Sequence, residues 1–149
     1  DSLMSANATD GQSVGKLTCI EIDAAMIKSA KANQGNFNID FQCTDEINYA
    51  DAIYSLDVIE HMSANQGRMW LCGLSSYAPL VIIGTPSLES QPYASQLSRE
   101  NHINCMTAPE LKILMKSYFK HVLMFSMNDE VVSTGYSKMS HYNFAIGIN

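Results

Sequence analysis

The sequence predicts an α/β fold, a three-layer sandwich around a mostly parallel, Rossmann-like sheet with an antiparallel hairpin at one edge. Three observations lead there. Short apolar or β-branched runs alternate with helix-length stretches along most of the chain. The most apolar run, Leu80-Val81-Ile82-Ile83, lies mid-chain and reads as a central strand covered on both faces. Acidic residues follow one predicted strand after another, at the edge where open parallel sheets bind ligands.

Each element has its own warrant. Residues Asp1 to Gly15 are a polar approach segment rich in turn formers, with room for a short helix over Leu3–Ala8. Leu17–Ile22 is the first predicted strand. Asp23 then caps a helix from Ala24 to Asn33 that stops near Gly35. Asn38–Cys43 and Ala52–Leu56 are the next strands, and a helical run follows from Val58 through Leu74. Pro79–Gly84 is the central strand. The stretch 86–104 is a long polar connection, of a length that compact domains reserve for lids and binding loops. Thr107 caps a helix through about Tyr118, with Pro109 in the first turn where its missing N–H costs nothing. His121–Met127 and Tyr142–Ile148 close the chain as the hairpin, across the turn formers Asn128-Asp129 and Gly135.

Composition narrows the function. The 149 residues are 46% apolar, enough for one domain with a real core over 1–149. Nine Lys and Arg against 15 Asp and Glu leave a net charge of −6. That balance argues against a nucleic-acid partner, because coating phosphates takes clustered cations. No apolar run reaches the ~18–20 residues of a membrane span. Nothing in the first twenty residues has the order of a signal peptide. Cys19, Cys43, Cys72 and Cys105 form no C-x-x-C pair, so free thiols in a reducing, cytoplasmic setting are expected. Most of the nine methionines are expected to fill gaps in the core.

The strand ends present Glu21 and Asp23, then Asp45 and Glu46, then Ser55, Asp57, Glu60 and His61, then Thr85 and Ser87. A rim of carboxylates accepts hydroxyl and amine protons, which suits a ribose and an adenine amino group.

The runs that carry this rim resemble a known family. Leu17-Thr18-Cys19-Ile20-Glu21-Ile22-Asp23-Ala24-Ala25-Met26 is similar to the second-strand motif of class I S-adenosylmethionine-dependent methyltransferases. The run from Ala50 to Met62, with Asp57-Val58-Ile59-Glu60-His61 at its end, resembles their fourth-strand motif. It is nearest the ubiquinone-biosynthesis O-methyltransferase type. Ile82-Ile83-Gly84-Thr85-Pro86-Ser87 looks like the fifth-strand segment. The resemblance implies S-adenosylmethionine as cofactor and methyl transfer to an oxygen or nitrogen of a small-molecule acceptor. It implies that Glu21 accepts the ribose hydroxyls, that Ile22 and Met26 line the cofactor with Met26 on the adenine ring, and that Asp45 and the Glu46 backbone bind the adenine edge. Ser55 and Asp57 would border the methionine end. His61, and His102 from the long connection, would face the substrate as the catalytic pair.

The family's first strand and glycine-rich loop should precede Leu17, yet residues 1–16 hold no G-x-G. A truncated domain lacking its first strand is therefore expected, with weak cofactor binding. Its unpaired strand edges would favour a homodimer. Two rival functions remain: a non-catalytic Rossmann-like binding or assembly domain, and a nicotinamide-dependent oxidoreductase fragment, which shares the acid after the second strand. Plainer roles stand beside the chemical ones: Asp23 as a helix cap, Met26 as core, Asp45 as a turn residue, Asp57 to His61 as a helix start, His102 as a solvated loop side chain. His102 and Cys105 suggest zinc, with His61 and Cys72 as further ligands. Nothing in the sequence unites the four, so no metal is expected.

Overall fold

The computed structural model describes residues 15–36, 38–128, 131–134 and 137–149. The helix expected over Leu3–Ala8 and the turn residues Asp129 and Gly135 lie outside them. The chain groups into two compact units, Asp1–Ile47 and Asn48–Asn149.

The first unit is a β-α-β turn of structure. Strand β1 (Leu17–Glu21) runs parallel to β2 (Ile39–Cys43), in a register that sets Glu21 opposite Cys43. Helix α1 (Ala24–Asn33) joins them. Asp23 caps it as expected: its carboxylate accepts the Ala25 N–H at 2.7 Å. Gly35, at φ +61°, turns the chain out of the helix in a conformation that an L side chain resists. Ile27 and Ile39 are the buried apolar residues here.

The second unit holds a mixed five-stranded sheet in the order β3-β4-β7-β5-β6. These are β3 (Ile53–Leu56), β4 (Leu80–Pro86), β5 (His121–Asn128), β6 (Val131–Ser133) and β7 (Tyr142–Ile148). Only β3 and β4 pair in parallel; the other three ladders are antiparallel. This corrects the expectation of a mostly parallel sheet. It also moves the hairpin. The last two predicted strands do pair antiparallel, but β7 inserts between β4 and β5, and β6, too short and exposed to read in the sequence, takes the edge.

The helices differ at one informative point. The expected continuous helix from Val58 breaks into a 3-10 turn at Ile59–His61 and helix α2 (Ala64–Tyr77). Ser63 causes the break. Its hydroxyl accepts the Gln66 N–H while the Gln66 side chain accepts the Ser63 N–H, a capping box that starts a new helix. The connection 86–104 is ordered as a 3-10 stretch (Leu88–Tyr93) and a short helix α3 (Gln96–Asn101). Helix α4 (Ala108–Lys116) carries the second capping box, Thr107 with Glu110.

Strand β7 alternates cleanly, and β4 does so but for Gly84, which is buried as well. Val81, Ile83, Thr85, Asn143, Ala145 and Gly147 are buried on one face, and the neighbours between them are mostly half-buried. Gly147 exists for a close approach: a Cβ there would drive into the Phe119 ring and the Met115 methyl. Leu71, Leu74, Leu111 and Met115 complete this core. Methionine contributes less than expected. Met106 and Met115 are buried, whereas Met26, Met69 and Met139 are mostly exposed.

Candidate functional site

Strand β3 ends in a conformation that costs energy. Asp57 sits at φ +56°, left-handed space that a non-glycine residue enters with strain. Its N–H still donates to the Gly84 carbonyl at 3.1 Å, so the ladder to β4 extends through the bend. In the 3-10 turn that follows, Glu60 is fully buried while its neighbour His61 is exposed.

Glu60 is the unusual residue. Its Oε2 accepts the Thr85 hydroxyl at 3.0 Å, while its Oε1, also buried, has no hydrogen-bond partner among the described residues. No lysine or arginine among them forms a salt bridge with it. Burial pushes its carboxyl above the usual range, against the downward pull of its backbone and Thr85 hydrogen bonds, and the Asp57 charge adds to the rise. A buried, incompletely satisfied carboxylate asks for a proton or a cation.

Two histidines stand beside it. One donor atom from each of Glu60, His61 and His102 lies within 4.8 Å of the others. The histidine rings meet edge to face at 4.9 Å between centroids. His61 Nδ1 lies 3.2 Å from the Asn101 carbonyl, which can only accept, so Nδ1 carries a proton and Nε2 is the nitrogen left to bind a cation. His102 caps the end of α3, and its buried Nδ1 has no partner among the described residues. Asn104 ties the two segments together: its N–H donates to the Glu60 carbonyl at 3.0 Å and its Nδ2 to the Ile59 carbonyl at 3.3 Å. Here the donor chemistry fits a divalent cation: two imidazoles and a carboxylate, with the Asn101 carbonyl orienting His61 and the Thr85 hydroxyl orienting Glu60. The expectation of no metal thus meets a ready donor set, with Glu60 where the sequence offered Cys72 and Cys105. Cys72 is exposed. The Cys105 thiol is pushed up to about 11, chiefly by burial and then by the Glu60 charge, and it is not among the three converging donors.

The remaining predicted residues divide between the two units. In the second, Ser55 is half-buried in β3 and Asp57 is exposed just beyond it. In the first, Glu21 ends β1, and its Oε1 accepts the Asp23 N–H at 2.9 Å, which orients the carboxylate. The Thr44 N–H donates to the Glu21 carbonyl and the Thr44 hydroxyl accepts the Glu46 N–H, so the turn holding Asp45 and Glu46 is fastened to the end of β1. Ile22 and Met26 are 75% and 59% exposed, so Met26 is not core. Acidic and uncovered apolar groups at the carboxyl ends of two parallel strands fit a ribose and an adenine ring.

The sequence reading put Glu60 and Thr85 at strand ends without giving either a role in the site, and it gave Asn104 none. Glu60 had a signal, an acid embedded in Val58-Ile59-Glu60-His61-Met62. Thr85 had only its place after the fourth strand and Asn104 only its place in the long connection, since the importance of both lies in partners distant in sequence.

No protein family and no curated protein matches the chain. Solved structures do. The small RNA methyltransferase HEN1 matches at a TM-score of 0.66 and 18% identity, over 90% of this chain and 20% of that one. The methyltransferase bound to the Trm112 activator of Haloferax volcanii matches at 0.70 and 10% identity, over 90% and 72%. Magnesium protoporphyrin IX methyltransferase from Synechocystis PCC 6803, with bound S-adenosylmethionine, matches at 0.61 and 12% identity, over 90% and 59%. This chain therefore spans a fifth of the first and less than two thirds of the third. At these identities the likeness establishes the fold alone, a Rossmann-like mixed α/β fold that these structures share. Among the described residues no helix is long and apolar enough to cross a membrane.

Proposed function

We propose that the chain is a methyltransferase domain that moves the methyl group of S-adenosylmethionine to a hydroxyl oxygen, with a divalent cation held by Glu60, His61 and His102 beside the acceptor. One observation carries it. In a fold shared with methyltransferases, a buried carboxylate with an unpartnered oxygen converges with two imidazoles just beyond the end of a sheet strand. The same reading takes the three-layer sandwich as its architecture.

The chemistry balances simply. The acceptor hydroxyl gives its proton to water, its oxygen attacks the sulfonium methyl carbon in line, the new C–O bond forms as the C–S bond breaks, and the bonding pair stays on sulfur as the thioether. A cation bound in the cluster would supply Lewis acidity that makes the hydroxyl proton easier to lose. The protein's own work is placement. Thr85 holds Glu60 and Asn101 holds His61. Glu21 accepts the ribose hydroxyls, with Ile22 and Met26 against the adenine, Asp45 and Glu46 at its edge, and Ser55 and Asp57 toward the methionine end.

A second reading has its own support. With Nδ1–H given to Asn101, the neutral form of His61 would offer Nε2 as a base for the acceptor proton with no metal present. The acceptor is a small molecule in either case, because 9 cationic side chains against 15 acidic ones give little grip on a phosphate backbone. Transfer of labelled methyl to a panel of catechols, phenols, aliphatic diols and RNA 3′ ends, with and without chelator, tests the proposal. Transfer that chelator abolishes and Mn2+ or Mg2+ restores supports the cation. Chelator-resistant transfer that follows a histidine titration supports the base. Failure to bind the labelled cofactor at all refutes both, and transfer confined to RNA ends overturns the small-molecule acceptor.

A further inference from the structure

We propose that Asn104 is the positioning residue of the cluster, a staple that fixes the distance between the Glu60–His61 turn and His102. The inference rests on the cation reading above and adds to it a residue that touches neither cation nor substrate.

Two segments distant in sequence supply the donors, so something must hold them in register. Three hydrogen bonds cross between them. His61 Nδ1 donates to the Asn101 carbonyl at 3.2 Å on one side of His102. On the other side Asn104 makes two: backbone N–H to the Glu60 carbonyl at 3.0 Å, and Nδ2 to the Ile59 carbonyl at 3.3 Å. His102 is thereby pinned on both flanks against the turn that carries its partners.

The side-chain bond has a particular target. The Ile59 carbonyl already accepts the Met62 N–H at 3.2 Å, the bond that closes the 3-10 turn. The Asn104 amide uses the second lone pair of that oxygen, so it locks the turn where its shape sets the direction of Glu60 and His61. Space is reserved for it. A Cβ at buried Gly67, in the first turn of α2, would lie 3.4 Å from Asn104 Nδ2 and 3.2 Å from Ile59 Cγ1. Glycine there lets the amide and the Ile59 side chain pack against the helix backbone. Only a donor of this length serves. Aspartate would set a carboxylate oxygen against a carbonyl, and alanine would leave the carbonyl one partner short.

Titrating the full chain with Co2+ alone tests the inference, with affinity and the ligand-field absorption bands as readouts. Asn104→Asp and Asn104→Ala are expected to weaken Co2+ binding by about 10–100-fold, the range for removing groups that orient metal ligands, and to alter the bands at saturation. Gly67→Ala pushes on the amide from the other side and is expected to act in the same direction. It serves where the Asn104 variants fail to fold. Arg99→Ala is the control. It removes the 2.7 Å bond from Arg99 to the Ala94 carbonyl, loosening the same connection away from the cluster, and is expected to leave affinity and bands unchanged. A merely structural Asn104 would lower the melting temperature without moving the bands. Wild-type Co2+ affinity and bands in Asn104→Asp, or equal effects from Arg99→Ala, would overturn the staple while leaving the cation site standing. Absence of Co2+ binding by the unaltered chain would overturn the cation reading and the staple with it.

Discussion

Replacing Glu60 by glutamine should raise the stability of the metal-free protein and abolish its response to divalent cations. Glu60 is fully buried, accepts one hydrogen bond from Thr85, and has an oxygen with no partner among the described residues. Leaving a buried acceptor unmet costs about 1–3 kcal/mol, and more when it is charged. Glutamine has the same shape, keeps an oxygen for the Thr85 hydroxyl and carries no charge. In a chain of this size each kcal/mol moves the melting temperature by roughly 2–4 °C, so at pH 7.5 with chelator the variant should melt at least about 2 °C above wild type.

The sign with pH follows from the raised carboxyl of Glu60. A group that holds its proton more tightly folded than unfolded contributes stability below its unfolded value, here the ordinary 4.5. That contribution is lost as pH rises through the folded value. The gap between variant and wild type should therefore be near zero at pH 4 and open as pH rises. Cation response runs the other way. At a hundred times its dissociation constant a ligand adds about 2.7 kcal/mol, which is roughly 5–11 °C for the wild type and nothing for the variant. Differential scanning calorimetry from pH 4 to 8, with chelator and with Mn2+, reads both effects. A variant that melts below wild type at pH 7.5 and still shifts with Mn2+ would refute the reasoning, because Glu60 would then be a satisfied structural acid.

Three further predictions use other parts of the chain. Glu21→Gln should weaken S-adenosylmethionine binding at least about tenfold in equilibrium dialysis, since charge-assisted hydrogen bonds contribute ~1.5–3 kcal/mol each; Asp23→Asn should do much less, an amide capping nearly as well. Gly84→Ala should cost about 1–3 kcal/mol in urea unfolding, because the new Cβ meets Leu56 Cδ2 at 2.5 Å and Tyr142 Cε1 at 2.8 Å. Cys105, with its thiol raised to about 11, should alkylate with iodoacetamide at pH 8 far more slowly than exposed Cys43 and Cys72 by peptide mass mapping, and faster in Glu60→Gln.

Local signals in the sequence carried the fold a long way. The Asp23 and Thr107 caps, the β4 run and the β7 alternation all depend on neighbours within a turn or a strand. The break before α2 was written there too, as serine followed three residues on by glutamine, but the apolar period across Val58–Leu74 masked it. The place of β7 was not legible. Chain order does not say which strands are neighbours, and an antiparallel strand inserted between two parallel ones is a choice made by the whole sheet. The site divides in the same way. Strand-end reasoning reached Ser55, Asp57 and His61, and loop length pointed to His102. That His61 and His102 share a cluster with Glu60 is tertiary, and it is enforced by bonds that Asn101 and Asn104 make far along the chain.

The distribution of cost across the second unit argues for a bound ligand on its own terms. Asp57 is held in left-handed space, and among the described residues Glu60 is a buried acid with no lysine or arginine in a salt bridge to it and His102 buries a ring nitrogen with no hydrogen-bond partner. Each lowers stability, and each has a cheaper substitute: glycine at 57, an apolar residue at 60 or 102. A sequence selected only to fold would scatter such costs or remove them. Here they gather within a few residues of one strand end and one loop, while Leu71, Leu74, Val81, Ile83, Leu111 and Met115 pack a core that can carry them. A cation between Glu60 and the histidines would offset the buried charge and the idle nitrogen together. A proton on Glu60 alone would satisfy the acid and leave the convergence of the two imidazoles unexplained.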